Sequence, residues 1–600
     1  MPIPAPLRQL PRRHPLLLIL LFGLLLRFAF FIELRQSPFY STPDLDALEY
    51  DNQARDFAAG KLAWTEIPIH GPGYPLFLAL LYTLFRGSYT AVYAAQFSLG
   101  LLNAYLVYRL GRRFFDRAAA LVAAFFMATL WTTLYFEGLL LATTLMLSLD
   151  LLALLALDHA RRPGRPWSWL LAGILLGLSA ITWPLILAFL GALLLMLLFF
   201  PPSPLRRPAF APALVLLLGA ALPIAPVTWQ NWRAEHDFVL IQKNGGMNLY
   251  LGNNPKADGT PNVRPTGEWD QLLLLPQTEA GITRQSQRDR FFLALVLHFA
   301  RTQPGRFLQL QARKLALLGN AREIRATFDP EFFRRRYRTL SLPLPGFAPL
   351  LALGLLGMVR ARNPFPSLLF FYLAAYAAAV VLTVVSARYR MPLAPVLALF
   401  AGHGLVELAR LFRERDWRRL APALVFLGAV DLAGHWSRPV PKHTNAEEWS
   451  HLGNAYYVRR NLYPAELAYR RALEQEPGYS MAMTGLAVIS WDQGRRDRAL
   501  ETLRRALLLD PENVPTRYQY AEYLRQQGEW DKALAEYQIL LQKWPAQVSA
   551  HFFVALTAFE KGDLETARRE AEEVLRSRPE NAAMLDLLKK IQDHERETSP

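Results

Sequence analysis

The chain has 600 residues, 52% of them hydrophobic, and a formal net charge of +16, with a pI near 9.9 and a mean hydropathy of +0.12. Long Leu, Ala and Phe stretches alternate with short Arg-rich patches, the pattern of a polytopic membrane protein with a soluble part attached; the arginines lie in short loops, where cytoplasmic retention of positive charge accounts for them without a nucleic-acid partner. Cysteine is absent, which excludes disulfides, zinc–thiolate centres and thiol nucleophiles.

The opening MPIPAPLRQLPRRH is basic and runs into an apolar stretch with no small-residue cleavage site, so it reads as an uncleaved anchor with a cytoplasmic amino end. About eleven runs are long enough to cross roughly 30 Å of hydrocarbon, centred near residues 25, 100, 126, 148, 175, 192, 218, 354, 376, 400 and 427. Arginine patches follow every second run: Arg109, Arg112, Arg113 and Arg117; Arg161, Arg162 and Arg165; Arg206 and Arg207; Arg360 and Arg362; Arg410, Arg413, Arg415, Arg418 and Arg419. All fall on the side of the amino terminus. The outer face then carries loops at about 35–88 and 229–346, the SARYRMP turn and everything after about residue 436, in a protein expected in a bacterial inner or plasma membrane. The fifth and sixth runs, joined only by Thr182-Trp183-Pro184, could instead form one broken helix or a re-entrant pair. The run YPLFLALLYTLF at 74–85 is too short to cross and is expected to lie in the interface, anchored by Tyr74 and Tyr82.

Beyond about residue 447 the chain becomes polar and helix-forming. Pro477, Pro511, Pro545 and Pro579 are spaced by 34 residues, as are Gly494, Gly528 and Gly562, and Ala465, Ala499, Ala533 and Ala567. This period resembles the tetratricopeptide repeat, a helix-turn-helix unit. Four repeats are expected at 447–480, 481–514, 515–548 and 549–582 with a capping helix to about 598; the first carries Arg460 in place of the turn glycine. The expected architecture is all-α: a transmembrane domain over 1–440 and a soluble solenoid over 447–598, whose concave face would take a protein partner or serve only as a spacer.

The order of basic anchor, acidic loop, P-G-Y-P, interfacial helix and further spans resembles the GT-C class of membrane glycosyltransferases, in particular protein O-mannosyltransferases, bacterial aminoarabinose transferases and their relatives with tetratricopeptide tails. The resemblance rests on LDALEYDNQARDFAAG at 45–60, HGPGYPLFLALLY at 70–82, YFEG at 135–138, WQNWRAEHDFVLIQKNGGMNLYLGNNPKADG at 229–259 and ARYRMPLAP at 387–395. It implies a polyprenyl-phosphate-linked sugar donor, an extracytoplasmic active site, a protein, lipid or glycan acceptor, and inversion at the anomeric carbon.

Such a displacement needs a base for the acceptor hydroxyl and cationic groups for the departing phosphate. The resemblance places the base in the first outer loop, where Asp46 matches best and Asp44 competes because D-x-D leaves the register open; Tyr50 joins the substrate-binding set. The plain alternative makes Asp44 a helix cap and Asp46, Glu49 and Asp51 an acidic first turn. Glu137, expected in a short loop between the third and fourth runs, would organise the acceptor or a metal, or simply snorkel. His70 is the candidate ligand for a divalent metal ion, the one cofactor considered. Arg388 and Arg390, flanking Tyr389, could grip a phosphate bidentately, with Arg27 and Lys243 as weaker candidates. The stretch NGGMNLYLGNNP lacks the Lys-Ser/Thr helix of a P-loop and is expected as a turn-rich cover for the donor, with Asn248, Tyr250, Asn253 and Asn254 bonding the sugar. The competing functional class is a non-catalytic scaffold whose solenoid gathers envelope proteins. A transporter is disfavoured, because no paired broken segments recur in two similar halves.

Overall fold

The computed structural model describes residues 14–162, 165–199, 209–261, 263, 267–361, 367–436, 444–545 and 547–598; Arg206, Arg207, Arg362 and the opening basic segment lie outside them. Among the described residues the regular elements are helices, with no strand. The chain divides into two compact units, Met1–Val263 with Leu272–Lys442, and Arg264–Gln271 with His443–Pro600.

In the first unit the apolar runs are helical because only a helix satisfies its own backbone donors and acceptors in hydrocarbon. Each of the eleven expected centres falls in a helix, but eleven crossings are not what length and composition give. Five helices are long and apolar enough: Pro15–Gln36, Tyr89–Phe114, Thr143–Ala160, Phe210–Glu235 and Leu393–Arg413; Arg117–Thr129 and Trp131–Glu137, bent by 49° at one break, make a sixth if taken together. Pro166–Thr182, Ile186–Phe199, Phe347–Arg360 and Ser367–Leu382 are shorter apolar helices. Trp417–His435 carries Arg418, Arg419 and Asp431 within its 19 residues.

Small residues bring these helices together, as expected where apolar burial gives no preference for protein over lipid. A Cβ on Gly173 would lie 2.2 Å from the Leu216 carbonyl oxygen, and one on Gly357 would meet that of Phe400. The first helix exposes Leu21, Leu24, Leu25 and Phe28 while burying Gly23, Arg27, Phe30 and Leu34. The run expected to lie in the interface forms the helix Gly73–Phe85, whose Tyr74 and Tyr82 are buried rather than anchored outward. Tyr74 donates to Gln96 Oε1 at 2.6 Å, and Tyr82 to the Asp51 carboxylate, which also takes Tyr89 at 3.0 Å and Arg55 at 2.8 Å.

The second unit is a run of helical hairpins: Ala446–Val458 with Leu462–Gln475, Ser480–Asp492 with Arg496–Leu509, Val514–Gln526 with Trp530–Lys543, and Val548–Lys561 with Leu564–Ser577, closed by Ala582–Thr598. Ala465, Ala499, Ala533 and Ala567 are fully buried, so the small side chain recurs where paired helices approach. Pro477, Pro511, Pro545 and Pro579 each follow the residue that caps the second helix of a hairpin, where no helical donor is lost. The turn glycines Gly494, Gly528 and Gly562 have φ of 78°, 79° and 90°; Arg460 forms the same turn at 59°.

Candidate active site

The acidic loop turns into the helix Asp46–Ala58 through Leu45, whose φ of 51° and ψ of −130° lie where side chains are disfavoured. The Leu45 amide donates to Asp44 Oδ1 at 2.8 Å, which fixes the bend from within. The bend separates the two carboxylates of D-x-D and gives them different surroundings.

Asp46 Oδ2 accepts from Arg388 Nη1 at 2.5 Å and from Thr327 at 3.3 Å. Oδ1 lies 3.8 Å from His70 Nε2, which is also 3.3 Å from Glu49 Oε2. Burial alone would raise the Asp46 pKa, but the His70 and Arg388 charges and the Arg388 and Thr327 hydrogen bonds hold it below the usual carboxylate value. Arg388 Nη2 reaches the Tyr50 hydroxyl at 3.1 Å, and its guanidinium lies 4.7 Å from the centre of the Trp183 ring. Tyr389 packs edge-on against the same Trp183 at 5.1 Å. Burial pushes the hydroxyls of Tyr50 and Tyr389 up to about 12, so both remain donors at neutral pH.

Trp183 went unnoticed in the sequence because it lies in the Thr182-Trp183-Pro184 connection, which signals only a break between helices. Its place between apolar runs and opposite no charge of its own gave no chemical cue. Thr327, between the helices Pro304–Leu318 and Pro330–Arg336, carried no signal either.

Two open clefts of about 390 and 490 Å³ share Asp44, Ala47, Tyr135, Leu139 and Phe328. The smaller continues to Thr327 and Arg388; the larger is lined by aromatics, among them Phe30, Tyr93, Phe333 and Tyr337. Asp44 thus borders both clefts, while Asp46 is engaged by Arg388.

Other expected site residues sit elsewhere in the same unit. Glu137 is not in a loop but ends the helix Trp131–Glu137, buried, with Oε1 2.7 Å from Arg27 Nη2. Arg27 also donates to the Ala128 carbonyl at 2.9 Å, and Gly100 leaves the space the Glu137 carboxylate fills, since a Cβ there would lie 2.1 Å from Oε1. Arg390 is buried against Glu323 at 2.7 Å and donates to the Asn320 carbonyl at 2.8 Å, so it braces the turn that presents Arg388. Lys243 lies 3.7 Å from Glu66.

The stretch expected to be turn-rich contains the helix Gly245–Leu251; Gly246 is required there because a Cβ would stand 2.7 Å from the Asp289 backbone. Asn253 is buried and fully used: its amide donates to the Leu249 and Leu382 carbonyls at 2.8 and 2.7 Å, and its oxygen accepts from Gln311 and Lys314, both at 2.8 Å. Asn254 closes the local turn onto the Tyr250 carbonyl at 3.0 Å, Tyr250 packs on Phe292 at 5.5 Å, and Asn248 lies on the short helix itself. Asn253 and Asn254 thus hold the loop through backbone carbonyls. Among the described residues no group of three or more His, Asp or Glu is arranged to hold a metal ion, and Asp46, the carboxylate nearest His70 after Glu49, is already bonded to Arg388.

Residues 69–229 match the family model described as dolichyl-phosphate-mannose-protein mannosyltransferase. Tetratricopeptide-repeat models match 451–515, 518–582 and 490–543. No curated protein matches the chain. Among solved structures, the chain is similar to Pseudomonas aeruginosa pilF at 23% identity (25% of this chain, 69% of that one, TM-score 0.24). It is also similar to YrrB, described as a tetratricopeptide protein with an unusual peptide-binding site, at 20% identity (30% and 88%, TM-score 0.22). At these scores neither structure carries an argument. The chain is thus similar to the dolichyl-phosphate-mannose-protein mannosyltransferases, a GT-C family, over residues 69–229, and carries tetratricopeptide repeats between residues 451 and 582.

Proposed function

We propose that the protein is a membrane glycosyltransferase that moves a sugar from a polyprenyl-phosphate carrier to a protein, lipid or glycan hydroxyl at the extracytoplasmic face, with inversion. The solenoid, on the same face, recruits the acceptor or a partner protein on its concave side. The observation that supports this reading best is the Asp46–Arg388 pair, a base and a phosphate-binding cation held together from loops 342 positions apart.

The acceptor oxygen attacks the anomeric carbon as its proton passes to the Asp46 carboxylate. The bond from that carbon to the phosphate oxygen breaks, and the electron pair leaves with the phosphate. Arg388 neutralises the charge that develops, with Tyr50 and Tyr389 as neighbouring donors. The same guanidinium that would meet the phosphate lowers the basicity of Asp46 beforehand. When a phosphate draws Arg388 away, Asp46 becomes the stronger base that proton transfer requires, so donor binding switches the base on. Asp44, bordering both clefts, orients the acceptor hydroxyl; that same position favours a second reading in which Asp44 is the base.

Sugar transfer from a purified polyprenyl-phosphate donor separates the two. Asp46→Asn should lower kcat by about 10²–10⁴-fold, and Asp44→Asn should mainly raise the acceptor KM. The reverse pattern assigns the base to Asp44, and unchanged turnover in both variants removes the catalytic reading.

A further inference from the structure

The 34-residue period of the solenoid carries a second pattern in its last two hairpins. Arg517 and Glu536 in the third stand 34 positions before His551 and Glu570 in the fourth, whereas the first two hairpins have Trp449 with Ala468 and Met483 with Thr502 at these places. The fold gives both basic side chains the same task. Arg517, on Val514–Gln526, donates through Nη1 to the Glu536 carboxylate on Trp530–Lys543, and through Nη2 to the Pro511 carbonyl at 2.7 Å. His551, on Val548–Lys561, meets Glu570 Oε2 on Leu564–Ser577 through Nδ1 at 2.5 Å, and the Pro545 carbonyl through Nε2 at 2.7 Å. Each side chain thus ties the two helices of its hairpin to one another and to the connection from the hairpin before. Both are largely buried, with 11% of the Arg517 side chain and 14% of that of His551 exposed.

The two clamps differ in their protons. A guanidinium has several N–H groups and keeps its charge, so Arg517 fills both bonds at any physiological pH; a neutral imidazole has one N–H and fills one. Neither acceptor of His551 supplies a proton in return. A carbonyl has none, and Glu570 is met as a carboxylate by Arg569, whose Nε and Nη2 lie 3.1 and 2.9 Å from Oε1. Both bonds together therefore require the imidazolium. The other charges around the ring have partners of their own: Lys543, two positions before Pro545, pairs with Glu512, and Glu573, one turn beyond Glu570, lies 2.6 Å from Arg576. The helix of His551 itself carries no charged residue within four positions of it. We infer that His551 is a proton-operated form of the clamp that Arg517 makes permanently, and that it sets how firmly the last hairpin and the closing helix Ala582–Thr598 are held to the rest of the array. The device does not depend on which reaction the membrane unit performs. Its sign follows from the bonds: the folded hairpin uses two N–H groups of the ring where the unfolded chain needs neither, so folding favours the protonated ring. Stability of the last hairpin then falls as pH rises through the range in which histidine titrates, near 6.5 for a free side chain.

Hydrogen exchange of the full-length protein in detergent tests this, with rates at about pH 5.5 and about pH 8 corrected for the intrinsic pH dependence of amide exchange. Protection in Val548–Lys561 and Leu564–Ser577 should fall about threefold or more between the two, while that in Val514–Gln526 holds. His551→Arg, which installs the permanent clamp, should keep the last hairpin protected at both pH values. Arg517→His should carry the pH dependence to the third hairpin, and this variant decides the matter even if the first fails to fold. The solenoid's other histidines, His451 on its first helix and His594 on its closing helix, are left in place in both variants. A last hairpin in the wild type that is equally protected at both pH values overturns the inference. So does a pH dependence that survives His551→Arg, which would belong to another group such as His594, or a third hairpin that stays indifferent to pH with Arg517→His.

Discussion

The two units of this chain solve different problems. In the solenoid, the residues that pack together lie within one or two 34-residue periods, and the same alanine is buried in each hairpin. Each repeat is a local solution copied along the chain. In the membrane unit, the candidate site joins Asp46 to Arg388 across 342 positions and to Thr327 across 281. Its precision therefore depends on clamps elsewhere in the loops, Arg390 with Glu323 and Lys314 with Asn253, which brace the segment leading into Arg388 from two sides. A periodic array tolerates the loss of one local device, whereas a converging site does not.

The sharpest way to break that contrast is at Arg388. Replacing it with lysine keeps one charge but loses the fork that meets Asp46 and Tyr50 together, and transfer should fall by about 10²–10³-fold. Arg388→Met should also move the acidic limb of the kcat/KM profile upward in pH, because Asp46 must be ionised to act and the guanidinium is, with the His70 charge, what holds its pKa below the usual value against burial. An unshifted limb would show that Arg388 and the titrating base are not in contact in the free enzyme.

The second prediction concerns the clamp. Lys314 is fully buried, and burial lowers its pKa to about 7, against 10.5 for the exposed side chain. Between these values the unfolded chain binds a proton that the folded chain does not, so stability should rise with pH across that window, by at most about 1.4 kcal/mol per unit. Below about pH 7 both states are protonated and the cost of the buried charge is constant. Thermal unfolding in detergent from pH 7 to 10 measures the slope. Lys314→Met should flatten it, while solenoid variants should leave it in place.

The fold class was legible because both its signals are periodic or compositional: uninterrupted apolar runs and a strict 34-residue repeat. The count of eleven crossings is not matched by length and composition among the described residues, because apolar runs such as Ser367–Leu382 form helices of 16 residues and three charges interrupt the composition of Trp417–His435. Asp46, Arg388 and His70 could each be singled out as chemically apt, but nothing in their spacing said that they meet. The Arg27–Glu137 pair was missed as well, with Arg27 read as a phosphate candidate and Glu137 as an organiser of acceptor or metal, although two opposite charges isolated in apolar segments each need a partner. Asn253 reads in the sequence as a ligand for sugar, an asparagine in a glycine-rich loop, whereas its amide bonds the Leu249 and Leu382 carbonyls, the latter 129 positions away, a pairing no local pattern signals.

The smallest effect is expected in the solenoid, at the one turn that departs from its pattern. Arg460 holds φ at 59° where its equivalents are glycines. A side chain in that region is strained by about 1 kcal/mol, whereas glycine loses somewhat more chain entropy on folding, so the two partly offset. Arg460→Gly should raise the stability of the second unit by about 0.5 kcal/mol, which for a unit of this size shifts its unfolding by a few degrees at most. Because hairpin packing rests on Ala465 and Tyr469, both buried and unchanged by the substitution, the gain should stay confined to the first repeat. Hydrogen exchange resolves this: slower exchange in Ala446–Val458 and Leu462–Gln475 with unchanged rates in Val548–Lys561 means that repeats settle locally, whereas slowing through all four hairpins would mean that the array folds as one cooperative body.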